Sequence, residues 1–344
     1  VLSWLRFRFA LTVKSQNVKE HFTMKKRLAW VSALAAIPLI LSGCSPTATP
    51  TDTDTGATAD VNIAFITHGA PGDTYWDVVK SGEIRAAEDL GINVTYQSDP
   101  DPVKQSSLID SAVAEGVDGI VVSMANPDGL KDSITKAIAA GIPVISVDSG
   151  LERFKEFGLL THIGQSEYIA GKGAGEKLAA AGAKNVICVI HEAGNVGLED
   201  RCRGILDTLG GLVENVQVDI NNLADAQNTV KAKLLADPTI DAVVTLGPPM
   251  AVSASAALDE AGSSAMLATF DLSEDVTKLI ESGKILFAVD AQPYLMGYLG
   301  VNFLYLHKIN GNEVGGGEPI YSGPGYVTKD NVASVAEFAQ NGTR

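Results

Sequence analysis

From Val61 onward, short runs of β-branched and other apolar residues alternate with stretches of helical spacing, and this alternation restricts the fold more than any other feature. Val61–Ile66, Ile92–Tyr96, Gly119–Ser123 and Ile142–Val147 have strand length and strand composition. Between them, Trp76–Leu90, Val103–Ala114 and Leu130–Ala140 read as helices, with Val78, Val79, Ile84, Ala87 and Leu90 falling on one face of the first. Continuous apolar strands, each followed by a helix, indicate a parallel sheet covered on both faces. The rhythm then restarts. Asn185–Ile190, Val216–Val218, Ala242–Leu246, Met266–Phe270 and Ile285–Val289 read as strands. Tyr168–Ala181, Leu198–Leu209, Ala226–Leu235, Ala251–Ala261 and Tyr294–Ile309 read as helices. The expected fold is α/β, two doubly wound parallel-sheet lobes in succession, and 344 residues suffice for two such cores.

The segment before Val61 reads differently. Met24-Lys25-Lys26-Arg27 is a positive stretch, Leu28–Leu41 an apolar run of 14 residues, and Leu41-Ser42-Gly43-Cys44 its end. That is the layout of a secretory signal, too short and too interrupted by Pro38 to span a membrane well. The Leu-Ser-Gly-Cys ending resembles a bacterial lipobox, which implies lipidation of Cys44; the plainer alternative is an ordinary signal peptide with Cys44 incidental. Residues 1–23 are expected to be an upstream extension of the reading frame, 24–44 the signal, and 45–60 a tether of Thr, Ala, Pro, Asp and Gly that has no large apolar residue to bury. The other two cysteines, Cys188 and Cys202, are open to two readings, a disulfide outside the cytoplasm or two separate buried thiols.

The net charge is −15, yet residues 1–27 hold seven basic residues against Glu20 alone, so the body after Cys44 is more acidic still. A surface of that sign repels phosphate backbones and anionic lipid heads, which argues against nucleic acid as a partner. Ligands of doubly wound sheets bind outside the carboxyl ends of the strands. Asp148, Asp271 and Asp290 each follow a strand, and Arg201 lies near a helix start. Carboxylates accept hydrogen bonds from neighbouring hydroxyls and a guanidinium donates through a planar fork, a set suited to an uncharged polyhydroxylated ligand. Tyr75 and Trp76 are adjacent aromatics that could cover the C–H face of a sugar. The competing structural readings are helix caps for Asp148 and Asp271, a core position for Trp76 and a solvated charge for Arg201. There is no G-x-S-x-G elbow, no P-loop, no strand-linked G-x-G-x-x-G and no paired histidines, so neither a cofactor nor a metal is expected. His191-Glu192 is the best acid–base pair available to a secreted α/β enzyme.

Val61 to about Thr328 resembles a type I periplasmic binding protein, in particular the ribose-binding-like, sugar-binding subunits of ABC transporters. The likeness rests on Phe65-Ile66-Thr67 to Tyr75-Trp76, Gly116–Ser123, Ala140–Asp148, Arg201-Cys202-Arg203-Gly204, Ala268–Asp271 and Ala288–Tyr294, in that order. It implies two lobes joined by a three-strand hinge near His162–Gln165, Asp290–Pro293 and Glu318–Tyr321. The N-terminal lobe would then hold residues 61–163 plus 292–319, and the C-terminal lobe 164–291 plus 320–344. It also implies ligand contacts from Asp73, Tyr75, Trp76, Ser123, Asp148, Arg201, Asn222 and Asp271, with Asp290 and Gln292 beside a departed position. Three departures from the ribose binders stand out: Ser149 where they have Arg, Gly247 where they have Asn, and Ala291 where they have Gln. They turn the expectation from ribose towards an alditol, another aldose or an amino sugar. The implied function is capture of a monosaccharide or alditol by lobe closure and delivery to an ABC permease, by a lipid-anchored, exported monomer. The alternative in the same fold is a sensor presenting its ligand to a membrane receptor.

Overall fold

The computed structural model describes residues 60–344; the upstream extension, the signal segment with Cys44 and all but the last residue of the tether lie outside the described residues. The first lobe is laid down as β1 (Asn62–Thr67), α1 (Thr74–Leu90), β2 (Asn93–Ser98), α2 (Pro102–Glu115), β3 (Gly119–Ser123), α3 (Pro127–Ala139), β4 (Val144–Val147), α4 (Phe154–Phe157) and β5 (His162–Gly164). The second follows as α5 (Glu167–Ala181), β6 (Asn185–Ile190), α6 (Val196–Leu209), β7 (Leu212–Gln217), α7 (Leu223–Ala236), β8 (Ala242–Thr245), α8 (Pro248–Ala261), β9 (Met266–Phe270), α9 (Glu274–Ser282) and β10 (Phe287–Asp290). The chain then returns through α10 (Pro293–Asn310) and β11 (Ile320–Tyr321) and ends with β12 (Gly325–Thr328) and α11 (Ala336–Gln340).

The two sheets run β11-β5-β4-β3-β1-β2 and β12-β10-β9-β8-β6-β7, and every neighbouring pair is parallel except β10 with β12. Side chains alternate between two buried layers along each strand. In the first lobe Phe65, Val121 and Ile145 pack under α1 and α10, while Ile66, Ile120 and Val122 pack against Ile109 and Leu130 of α2 and α3. The second lobe repeats this, with Val186, Val244 and Phe270 beneath α5 and α6 and with Ile187, Val243 and Leu267 facing α7 and α8. Glycine lets the paired helices touch: a Cβ on Gly297 would lie 1.9 Å from the Val79 carbonyl oxygen, and one on Gly171 2.2 Å from that of Arg201. Cys188 of β6 and Cys202 of α6 form a disulfide across a 14-residue separation, a loop for which cross-linking contributes about 3 kcal/mol.

The chain passes between the sheets three times, after β5, after β10 and after β11. The third passage falls at 322–324 and not at the expected 319/320 boundary, because Ile320 and Tyr321 pair with Ile163 and Gly164 of the first sheet. β4 and β9 occupy the same place in their sheets, and each is followed by an aspartate with φ of +62°, Asp148 and Asp271. Among the described residues, Gln292 is the only other non-glycine with positive φ. This conformation costs an L-residue roughly 1–2 kcal/mol, and such strain gathers where a side chain must be aimed at a ligand.

Candidate functional site

The carboxyl ends of both sheets face one crevice. On the first-lobe side, β1 delivers His68, whose backbone N–H and Nδ1 both meet Ser123 Oγ, at 3.0 and 2.7 Å. Asp73 caps α1 by accepting from the Tyr75 N–H at 3.0 Å, which fixes Tyr75 and Trp76 in the first turn. The Tyr75 hydroxyl donates to Asp148 Oδ1 at 2.7 Å, and the Ser149 hydroxyl donates to Asp148 Oδ2 at 2.8 Å. Trp76 meets the rings of His68 and Tyr75 edge-on, at centroid distances of 4.8 and 5.1 Å.

On the second-lobe side, Arg201 projects from the first half of α6. Its guanidinium donates to Glu167 Oε2 and to the Leu246 carbonyl, lies 3.5 Å from Asp271 Oδ2 and rests on the Phe270 ring. Asp271 Oδ1 accepts from the Ala291 N–H at 3.0 Å, so the second-lobe carboxylate is tied to the hinge. Neither Asp148 nor Asp271 caps a helix; Ser273 caps α9. The halves meet where Glu192 Oε2 comes within 3.5 Å of His68 Nε2, and where the Val196 N–H donates to the Ala125 carbonyl at 3.0 Å. The space between them is about 30 Å³, too small to hold a monosaccharide with the lobes in this position.

Charge in the crevice is lopsided. Asp73, Asp148, Glu192 and Asp271 line it against Arg201, the one permanently charged cation among its lining residues. Burial raises Asp271 to about 8, against the lowering pull of Arg201 and the Ala291 N–H. Burial likewise raises Asp73 to about 7, helped by Glu192 and Asp148. Burial opposes the charge of Arg201, but Glu167, Asp271 and Asp148 outweigh it and hold the guanidinium firmly protonated. His191 is lowered to about 4 by burial, so it is neutral near pH 7 and poorly matched to general acid–base work there.

These shifts set the pH dependence of the unliganded protein. Asp73, Asp271 and the buried Glu83, raised to about 7, bind protons in the folded state more tightly than in the unfolded chain. Their stabilisation is complete below the unfolded carboxyl pKa near 4 and is lost as pH rises through 7 to 8. His162 and His191, both lowered to about 4, act in the opposite sense, but only up to the unfolded histidine value near 6.5. The melting temperature of the unliganded protein is therefore expected to fall between pH 6.5 and 8, and Asp73→Asn to flatten that fall. Calorimetric melts across this range check it, and a melting temperature that rises towards pH 8 would contradict it.

Residues 63–313 match the family model of the periplasmic binding protein domain. The chain belongs to this family. It is 43% identical to a carbohydrate transporter from Acidothermus cellulolyticus 11B solved in complex with myo-inositol, with a TM-score of 0.82 over 83% of this chain and 100% of that one. It is 28% identical over 232 residues to the ribose import binding protein RbsB of Escherichia coli, covering 65% of this chain and 77% of that protein. It is 27% identical over 270 residues to the xylitol-binding protein of Mycolicibacterium smegmatis, 75% of this chain and 73% of that one. These likenesses make it a type I, ribose-binding-like, sugar-binding protein of the extracytoplasmic kind, and its function is solute capture for an ABC importer. The family consists of substrate-binding proteins. Among the described residues, no helix is long and apolar enough to cross a membrane.

Of the residues singled out in this binding protein's sequence, Asp73, Tyr75, Trp76, Asp148, Arg201 and Asp271 line the one crevice. Four others do not. Ser123 is fully buried behind His68 and orients that ring. Asn222 is exposed and caps α7 by accepting from the Asp225 N–H, outside the lining of the crevice. Asp290 is buried in the hinge, where it accepts from the Gln292 N–H and pairs with Arg344. Gln292 ties the second passage to the third through the Ser322 carbonyl. The crevice adds His68, Ser149, His191, Glu192 and Asn195 to its lining, with Glu167 beneath Arg201. Gly247 explains one departure: a Cβ there would meet His191 Cε1 at 3.2 Å, so glycine leaves the histidine its place at the wall.

Proposed function

We propose that the part of the captured solute held in this crevice is an uncharged polyol unit of monosaccharide size, a cyclitol, alditol or aldose, bound between Asp148 of one lobe and Asp271 of the other. The observation that carries this reading is the pair of aspartates at equivalent strand ends, both held in the left-handed region and both aimed into one crevice. Each carboxylate can take two neighbouring hydroxyls, Arg201 donates, and Trp76 offers an apolar face. An anionic ligand finds no uncommitted cation among the lining residues, since Arg201 is already engaged by Glu167 and Asp271. The myo-inositol bound to the Acidothermus cellulolyticus relative supports a cyclitol in particular.

Closure is the working step. Contacts to both aspartates exist only when the lobes are together, so the ligand shifts the open–closed equilibrium towards the form a permease would recognise. The site transforms nothing; His191 serves as wall and Glu192 accepts from Asn195. Both halves come from one chain, which supports a monomer as the working unit. A thermal-shift panel of cyclitols, alditols, aldoses, amino sugars and sugar phosphates is the test, because a ligand of the native state raises its melting temperature. The expected result is a shift for neutral polyols, with calorimetry giving one ligand per chain. Shifts confined to amino sugars or to phosphates would overturn the reading.

The second part of the proposal concerns location. Met24–Cys44 supports export and attachment of a lipid to Cys44, with residues 45–60 as the tether. Cells expressing the full chain are expected to incorporate a palmitate analogue into the wild type and none into Cys44→Ala. Equal labelling of the two would refute the anchor.

A further inference from the structure

We propose that the cleft has a second, outer chamber that takes a sugar ring carried on the polyol, so that glycosylated polyols are the preferred ligands; this rests on the reading of the inner crevice as a polyol site. Beside the crevice lies a cavity of about 380 Å³, within the roughly 300–1,000 Å³ typical of small-molecule sites. Its walls come from both lobes: Pro100, Pro102 and Ala125 on one side, and the 191–195 and 217–221 segments on the other. Inner and outer spaces share His68, His191, Glu192 and Asn195 and nothing else, so these four side chains are the partition between them.

Side-chain contacts form that partition, beside the backbone bond from the Val196 N–H to the Ala125 carbonyl. Asn195 Nδ2 donates to Glu192 Oε2 and stands 3.4 Å from His68 Nε2, and the Glu192–His68 approach spans the two lobes. A substituent on a ligand hydroxyl that faces this wall has a route outwards once Glu192 turns aside from His68, with Asn195 staying in place as the cap of α6. The chamber beyond is chemically suited to a neutral ring. Ala125, Ala193 and Gly194 give low relief, Asp219 and Asn221 offer polar groups, and neither lysine nor arginine lines it. Glu192 and Asp219 make it acidic, which disfavours a phosphate or uronate substituent. Because both lobes build it, contacts to the substituent form only on closure and add to the same conformational shift.

Calorimetry on the full chain with matched pairs, myo-inositol with its galactoside and sorbitol with its glucoside, tests this. The expected result is at least tenfold tighter binding of the glycoside in one pair. Ala193→Trp, which fills the outer chamber from its exposed loop, should erase that gain and leave the affinity for the bare polyol unchanged. Bare polyols that bind while their glycosides bind no more tightly would overturn the outer chamber and leave the inner site standing. A glycoside advantage that survives Ala193→Trp would also overturn it. Failure of every polyol, bare or glycosylated, would bring down both readings.

Discussion

Asp271→Asn is expected to weaken polyol binding by at least a hundredfold while the protein remains folded. Asparagine tolerates the left-handed region and keeps an oxygen for the Ala291 N–H, so neither the φ of +62° nor the hinge contact is forfeited. What disappears, at a pH above the value near 8 at which Asp271 ionises, is the anion. A hydrogen bond to a charged group contributes about 1.5–3 kcal/mol, and the asparagine amide would also turn a donor towards a hydroxyl or towards Arg201. Loss of two such bonds corresponds to roughly 3–6 kcal/mol, about two to four orders of magnitude in Kd. Calorimetry alongside a thermal melt separates binding from folding. Near-wild-type affinity in Asp271→Asn, and likewise in Asp148→Asn, would remove the two aspartates from the site.

Arg201→Met is expected to cost stability as well as ligand. The guanidinium is buried and serves Glu167, Asp271 and the Leu246 carbonyl together. Breaking a buried pair by deleting one partner typically destabilises by about 3–5 kcal/mol, because the remaining charge is stranded. At about 2–4 °C per kcal/mol for a domain of this order, the melting temperature should drop by roughly 10 °C. The deficit has a pH signature. Burial already raises Glu167 and Asp271, and without Arg201 both are raised further. The folded state then binds protons more tightly than the unfolded chain, so stability returns as pH falls towards 4 and is lost as it rises. Arg201→Lys should not rescue the protein, since one ammonium cannot reproduce a fork with acceptors on three sides. An Arg201→Met variant that melts with the wild type at pH 7.5 would contradict this account.

The α/β architecture was legible because strands buried on both faces leave uninterrupted apolar runs, as at Ile120–Val122 and Val243–Val244. Elements that depend on distant partners were not legible from local pattern. His162–Gly164 and Ile320–Tyr321 are too short for any periodicity and exist because they pair with each other and with β4. Glu274, Asp275, Lys278 and Glu281 leave α9 only three large apolar residues in nine positions, too short a window for its period to stand out. In β7, the edge position exposes Leu212, and its strand character begins four residues earlier than the apolar Val216-Gln217-Val218 suggests.

The site divides along the same line. The place of Asp148 and Asp271 at the crevice is legible because a carboxylate after a central strand falls at the carboxyl edge of the sheet. Asp290 obeys the same rule and still misleads, since β10 continues into the hinge and its carboxylate is consumed by Gln292 and Arg344. Glu167, next to the Ser166 cap of α5, reads locally as an ordinary acidic first-turn residue; only the folded chain brings it beneath Arg201. His191 is legible as a strand-end residue, but its access to the crevice depends on the absence of a side chain at Gly247, 56 positions away in sequence.

The most direct test is a crystal structure of the wild-type protein grown with saturating myo-inositol. The ring should lie between the lobes, with adjacent hydroxyls on Asp148 and on Asp271, a further oxygen on Arg201, and Trp76 against its carbon face. Density for the ring outside this crevice, or inside it with neither aspartate within hydrogen-bond distance, would contradict the account.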